Sequence, residues 1–198
     1  MTDASAGCGT KRELRAAMRE RAAAFLAGGS AQAESVRILA AAEALPAFGT
    51  ADCILLYMAL PDEVQTAPLL ERWTGRKRLV IPRVRGAELE LCEYDPAQLR
   101  SGYRGIPEPG PDAASVRPEE IGLALIPGLA FAFGTGPDTA PAAAPGAAQV
   151  WRLGRGKGFY DRLLPRLRCP AVGICYPFRV LDTIPTDPWD RPLDLLLY

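Results

Sequence analysis

Apolar residues recur along this chain in two rhythms. Between Lys11 and Ala27, Leu14, Met18, Phe25 and Leu26 fall at helical spacing, and Thr10 followed by Glu13 makes a capping-box start. The pattern predicts a helix from near Lys11 to Gly28–Gly29. It predicts a second over about 31–45, with Val36, Leu39 and Ala40 on one face. The apolar run "DCILLYMAL" (52–60) predicts a buried strand. "TAPLLERWTG" (66–75) predicts a helix with Thr66 as its cap, and "RLVIP" (78–82) a strand. "AELELCEY" (87–94) alternates, with Leu89 and Leu91 on one side, as a half-exposed strand does. Residues 95–118, rich in Pro and Gly, read as irregular. "IGLALIPGLAF" (121–131) reads as a buried strand ending in a Pro-Gly turn. Residues 134–149 read as a flexible Ala/Pro/Gly-rich surface loop. A helix over 159–168 and strands at 171–176 and 191–198 complete the pattern. Strands and helices alternate, and several strands are apolar throughout. This predicts an α/β fold with a mainly parallel sheet between helix layers, in one domain spanning 1–198.

Composition narrows the function. The chain has 198 residues, enough for a sizeable core, and 23 basic residues balance 23 acidic ones. A general nucleic-acid binder is usually basic, so that class drops in rank, and any anion site must be local. No apolar run approaches the roughly 20 residues that span a bilayer. The N-terminus lacks the apolar core of a signal peptide, so no membrane is expected and the expected compartment is the cytoplasm. Five cysteines without a C-x-x-C read as free thiols. There is no histidine, which excludes Ser-His-Asp and Cys-His catalysis and histidine metal sites. The chemistry must run on carboxylates, Lys and Arg, backbone dipoles, hydroxyls or an oxygen-ligated metal.

The densest chemistry lies in "WRLGRGKGFYDRLL" (151–164). Three glycines alternate with Arg155 and Lys157 ahead of an amphipathic run. Glycine lets a backbone approach a ligand closely, and a helix start favours an anion. A phosphate cradle is one reading. A tight strand-to-helix turn with solvated cations is the other, because the spacing matches neither G-x-x-x-x-G-K-[ST] nor G-x-G-x-x-G. Lys11 and Arg15 share a face in the first turns of their helix, where cations oppose the helix dipole unless an anion binds. Glu63 follows a buried strand, where open α/β sheets bind ligands; capping the next helix is its alternative role. Asp190, in a Pro-punctuated loop, is a carboxylate able to hold Mg²⁺ together with phosphate oxygens.

"KRELR", "LPDEVQT", "IPGLAF", "RLGRGKGFYDRLL" and "TIPTDPWDRPLD" occur together and in order, with "IPRV" and "GIPEP" between them. The set resembles the 5-formyltetrahydrofolate cyclo-ligase family over nearly the whole chain. The resemblance implies a three-layer α/β/α sandwich with a mainly parallel, Rossmann-like sheet. It also implies ATP- and Mg²⁺-dependent closure of 5-formyltetrahydrofolate to 5,10-methenyltetrahydrofolate by a monomer. In that reaction the formyl oxygen takes the γ-phosphate, and N10 then attacks the activated carbon. By similarity, ATP would contact Lys11, Arg12, Glu13, Leu14 and Arg15. The second ATP segment would be Arg152, Leu153, Gly154, Arg155 and Gly156, continuing through Lys157, Gly158, Phe159 and Tyr160. Arg155 and Lys157 would be catalytic, offsetting charge as it moves to ADP. Met58, Glu63 and the segment Arg155, Gly156, Lys157, Gly158 and Phe159 would border the folate, with Glu63 on the pterin N–H edge. Asp161 and Asp190 would be the metal-linked carboxylates. Where the family usually carries Asp after "PGLAF", this chain has Ala132, and where Gln is frequent it has Arg179. Ala132 makes a folate-binding homologue that has lost turnover an alternative, and an ATP-using enzyme for another formyl or carboxyl compound is a further one.

Overall fold

The computed structural model describes residues 10–102, 105–134 and 149–198. Most of the Ala/Pro/Gly segment read as a loop, and Cys8, lie outside the described residues. The first helix, α1 (Lys11–Ala27), starts as its sequence requires: the Glu13 N–H donates to the Thr10 hydroxyl at 3.3 Å, and Glu13 accepts the Thr10 N–H at 2.8 Å. Helix α2 (Ala31–Glu43) follows, then the short α3 (Pro46–Thr50) and strand β1 (Cys53–Leu55). The buried stripe of α2 is Ser35, Ile38, Leu39 and Ala42: of the expected Val36, Leu39 and Ala40 only Leu39 is buried, and Val36 is 56% exposed. Both stripes have helical spacing. The core selects the first: Ile38, Leu39 and Ala42 pack with Ile54 and Leu123, and Ser35 finds partners in the turns around them, sharing a hydrogen bond with the Tyr176 hydroxyl at 2.9 Å and accepting the Gln65 N–H at 3.1 Å.

Helix α4 (Ala67–Trp73) is preceded by Thr66, but the Thr66 side chain does not cap it. Its buried hydroxyl donates to the Tyr57 carbonyl at 2.6 Å, which pins the stretch after β1 to the helix start. Strands β2 (Arg78–Arg85) and β3 (Glu88–Glu93) form a hairpin; β4 (Leu99–Ser101) pairs with β5 (Pro107–Pro109) inside the stretch read as irregular. The run 121–131 is not one strand. It splits at Pro127–Gly128 into β6 (Leu123–Ile126) and β7 (Ala130–Gly134). Strand β7 leaves the main sheet and pairs antiparallel with β8 (Gln149–Leu153), a strand that the glycine-rich reading of 151–164 overlooked. Helix α5 (Phe159–Leu163) is five residues long and gives way to a 3-10 turn over Leu164–Arg166, because Pro165 cannot continue it. Strands β9 (Ala171–Ile174) and β10 (Leu195–Leu197) end the chain.

The main sheet has the order β10-β9-β6-β1-β2-β3, parallel except for the antiparallel edge strand β3. Period-two alternation supplies both faces. Ile54, Leu123 and Leu125 pack with Ile38, Phe48 and Leu70 from α2, α3 and α4. Leu55, Ala124 and Ile126 pack on the other face with Leu163 and Leu164. That second layer is not purely helical, since the β7–β8 hairpin fills part of it and α1 lies on the hairpin through Met18, Trp151 and Leu153. Among the described residues no helix is long and apolar enough to cross a membrane.

Candidate active site

Strand β1 has β2 on one side and β6 on the other, so the chain reverses its direction of winding between β1 and β6. The crevice beyond the carboxyl ends of such strands is where open α/β sheets receive ligands. Here it is lined by Tyr57, Met58 and Glu63 after β1 and by Pro127 and Gly128 after β6. The loop that follows β8 crosses it.

That loop, residues 154–158, separates two cavities and lines both. The first, of about 180 Å³, has apolar walls that include Met58, Val84, Leu89 and Phe159. Its charges cancel: Arg152, Arg155 and Lys157 face Glu63, Glu108 and Asp161. The second, of about 530 Å³, is walled by five cations (Lys11, Arg15, Arg152, Lys157 and Arg162) against Asp161, Asp187 and Asp190. Its excess of positive charge suits a polyanion. Gly154, Lys157, Gly158, Arg152 and Asp161 belong to both walls.

The loop's path depends on two glycines with positive φ, Gly156 at 94° and Gly158 at 66°. A Cβ on Gly156 would lie 3.3 Å from the Arg15 guanidinium carbon, and one on Gly158 2.7 Å from an Arg162 nitrogen. The cations therefore pack directly on the bare backbone. Arg15 donates from Nε to the Gly154 carbonyl at 2.9 Å, and Arg162 donates to the Lys157 carbonyl at 2.9 Å. Lys157 is different. Among the described residues its ammonium has no hydrogen-bond or ion-pair partner, and it faces both cavities. The helix-dipole reading weakens here, because α5 is too short to carry much of a dipole; the loop and its cations hold the charge.

Each expected carboxylate is already paired. Asp161 accepts Arg152 at 2.8 Å, and that arginine, 5% exposed, lies over the Tyr160 ring. Asp190, 7% exposed, accepts the Lys11 ammonium, and Lys11 also reaches Asp187 at 2.7 Å. The Asp190 carboxylate further accepts the Asp187 N–H at 2.8 Å, which shapes the loop. Glu63 is buried and accepts the Leu60 N–H at 3.0 Å on one oxygen and Arg155 at 2.9 and 3.1 Å on the other.

Burial disfavours charge on Arg155, but Glu63 and Asp62 outweigh it and raise its pKa. Burial likewise pushes Asp62 up, yet Arg155 and Arg179 win and hold its carboxyl below the ordinary aspartate value. Burial lifts the phenols of Tyr57 and Tyr160, and the neighbouring Glu63 charge adds to it, so both stay protonated.

Most of the expected residues converge. Lys11, Arg15, Arg152, Leu153, Gly154, Gly156, Lys157, Gly158, Asp161 and Asp190 line the second cavity. Met58, Glu63, Arg155, Phe159 and Tyr160 line the first. Arg155 faces only the apolar side. Arg12, Glu13 and Leu14 line neither cavity: Glu13 is engaged in the helix cap, and Leu14 packs against the Met18–Trp151 cluster. Sequence reasoning missed Asp62, Asp187 and the role of Arg179. Asp187 and Asp62 were within reach, as carboxylates beside Asp190 and Glu63. Arg179 stood out only as a departure from the family's usual Gln, and nothing in its neighbours along the chain marks it as a buried partner of Asp62.

The family model described as the 5-formyltetrahydrofolate cyclo-ligase family matches residues 8–137 and 141–198. The chain belongs to that family. Membership makes it an enzyme, a ligase of folate and one-carbon metabolism. It is 27% identical to the 5-formyltetrahydrofolate cyclo-ligase of Escherichia coli K12 over 153 residues, covering 72% of this chain and 75% of the relative. It is also 27% identical to a probable 5-formyltetrahydrofolate cyclo-ligase of Schizosaccharomyces pombe over 184 residues, 83% of each chain. The NMR structure of Aquifex aeolicus 5,10-methenyltetrahydrofolate synthetase superposes with a TM-score of 0.77 at 32% identity, over 94% of this chain and 88% of that one. The synthetase of Mycoplasma pneumoniae shares the fold, with a TM-score of 0.68 at 24% identity. Within this cyclo-ligase family member, the expected Asp position is Ala132, 4% exposed among Met18, Trp151, Leu153 and Ile184 and lining neither cavity.

Proposed function

We propose that the protein closes 5-formyltetrahydrofolate to 5,10-methenyltetrahydrofolate with ATP, releasing ADP and phosphate. One observation carries the reading: a neutral, apolar-walled cavity and a cationic one share a single glycine loop. A flat heterocycle suits the first and a triphosphate the second, and the loop is where their reacting atoms meet. In this reading Glu63 accepts from the pterin N–H edge, since a carboxylate only accepts. Met58 and Phe159 flank the ring. Lys11, Arg15 and the loop N–H groups draw in the phosphates.

The formyl oxygen attacks the γ-phosphorus, and the β,γ-bridging oxygen leaves with ADP. Phosphoryl transfer depends chiefly on positioning and on neutralising charge as it moves. Lys157, facing both cavities without a carboxylate of its own, neutralises the leaving oxygen. Arg155, on the folate side, faces the formyl oxygen as it becomes a phosphate ester. N10 then attacks the activated carbon and gives up its proton, the C–O bond breaks as phosphate departs with that proton, and the ring closes. No step needs histidine.

Mg²⁺ fits the donor set. Among the described residues no three acidic or histidine or cysteine side chains are arranged to hold a metal unaided. Mg²⁺ commonly takes only one or two carboxylates and completes its shell with phosphate oxygens and water. Asp161 and Asp190, both on the cationic cavity, would hold it, with Lys11 turning from Asp190 toward phosphate. The metal would neutralise phosphate charge.

The weakened-homologue alternative loses its motive, since Ala132 packs in an apolar cluster away from both cavities. The test is the absorbance of the methenyl product when protein, 5-formyltetrahydrofolate, ATP and Mg²⁺ are mixed. An ATP-dependent rise that Lys157→Ala loses is expected. Folate binding measured by calorimetry without any rise would overturn the ligase reading for this chain.

A further inference from the structure

Beyond Arg155 lies a chain of charge that substrate binding does not use. Arg155 donates one terminal nitrogen to Asp62 at 2.7 Å as well as to Glu63. The other oxygen of Asp62, and its main-chain carbonyl, accept a single nitrogen of Arg179 at 2.9 and 2.6 Å. The second terminal nitrogen of Arg179 donates to the Leu129 carbonyl at 2.8 Å. Arg179 is 1% exposed, covers the Phe178 ring, and lines neither cavity. A cation enclosed in this way acts on the protein and not on a ligand. Through Asp62 it ties the turn after β1 to the turn between β6 and β7.

This tie matters because Glu63 has two callers. In the proposed folate role, the Glu63 oxygen that Arg155 uses takes a pterin N–H, while its other oxygen already serves the Leu60 N–H. When folate engages Glu63, Arg155 loses an anchor, and a free guanidinium on a glycine loop would swing. Asp62 is the anchor that remains, and its own position is set from behind by Arg179.

We propose that Asp62, clamped by the buried Arg179, is a positioning residue that holds the Arg155 guanidinium in the folate cavity once folate takes Glu63. This rests on the folate role of Glu63 and the catalytic role of Arg155 proposed above.

The experiment is steady-state kinetics with folate binding by calorimetry for Asp62→Asn, Arg179→Gln and Arg155→Gln, and for each of the first two combined with Arg155→Gln. Misplacing a catalytic group by about 1 Å can cost roughly 100-fold, so Asp62→Asn is expected to lower kcat about ten-fold or more. Its folate Kd should move less than about three-fold, and Arg179→Gln should follow with a smaller loss. Residues that act through one group are not additive, so in the Arg155→Gln background both losses should shrink below about two-fold. An unchanged kcat in Asp62→Asn overturns the proposal. So does an equal kcat loss with or without Arg155, which would mark a merely structural role. Asp62 is partly exposed and its amide keeps the shape, so this variant decides the matter even if Arg179→Gln does not fold. If Arg155→Gln alone leaves kcat unchanged, or Glu63→Gln leaves folate Kd unchanged, the fault lies in the underlying site assignment, and the proposal falls with it.

Discussion

The apolar cavity and the cationic cavity share one loop but are made of different material. The first is built on the ends of β1, β2 and β6, so its walls are core side chains that run on into the site. Its charges are matched, and Glu63 and Arg155 satisfy each other before any ligand arrives. The second is assembled from the first turns of α1, the loop, and residues 187–190, which lie far apart in sequence. Its cations outnumber its carboxylates, and among the described residues Lys157 is left without a hydrogen-bond or ion-pair partner. The contrast is one of shape against charge: one cavity offers apolar walls and matched charges, the other an excess of positive charge. In the proposed reading the reaction belongs to the residues on the boundary.

Lys157→Ala should break the arrangement most completely. It removes a cation that lines both walls and is unpaired among the described residues, and the loss of turnover should be on the order of 100-fold or more, as for other groups aimed at developing charge. Folate affinity by calorimetry should barely change. Next, Glu63→Gln should weaken folate binding by roughly 10- to 100-fold, the weight of a hydrogen bond to a buried charge, while affinity for a nonhydrolysable ATP analogue stays put. Equal loss on both sides would mean the two cavities are not separate sites.

Gly156→Ala sharpens the boundary itself. A side chain at φ 94° facing Arg15 is strained by roughly 1–3 kcal/mol, and relief requires the loop to move. Nucleotide KM should rise more than folate KM. Lys11→Ala should act on the cationic side alone, raising the nucleotide Kd about ten-fold, within the usual worth of a charge-assisted hydrogen bond. It should leave folate untouched.

The smallest effect is on pH. The Asp62 carboxyl is held below its ordinary value, so its contribution to stability is complete above about pH 4 and is lost as pH falls through the lowered pKa. Asp62→Asn should therefore unfold with a shallower acid dependence than the parent, measured by thermal melts below about pH 4.

Much of this was legible along the chain. The cap at Thr10–Glu13, the apolar strands and the loop 154–158 announce themselves through local chemistry, since hydrogen-bond partners three residues apart and period-two burial need no distant information. The misreadings share a cause. Val36 and Ile38 belong to equally good helical stripes, and only the sheet and the Ser35–Tyr176 bond choose between them. Thr66 looks like a cap that would accept a helix N–H, but its hydroxyl is turned instead to donate to the Tyr57 carbonyl. The run 121–131 looks continuous because both halves are buried, and only pairing with β8 reveals the break.

The sequence by itself determined the alternation of elements, the absence of histidine chemistry, and the order of motifs that marks the cyclo-ligase family. Periodicity, composition and local spacing are properties of neighbours along the chain. Tertiary structure alone decided that Lys11 meets Asp187 and Asp190, that Arg155 turns toward the apolar cavity, and that Arg179 lies buried against Asp62. Each of these is a choice of partner among charges distant in sequence. Such choices are made by burial, which makes an unpaired charge costly and so forces the pairing that the fold can reach.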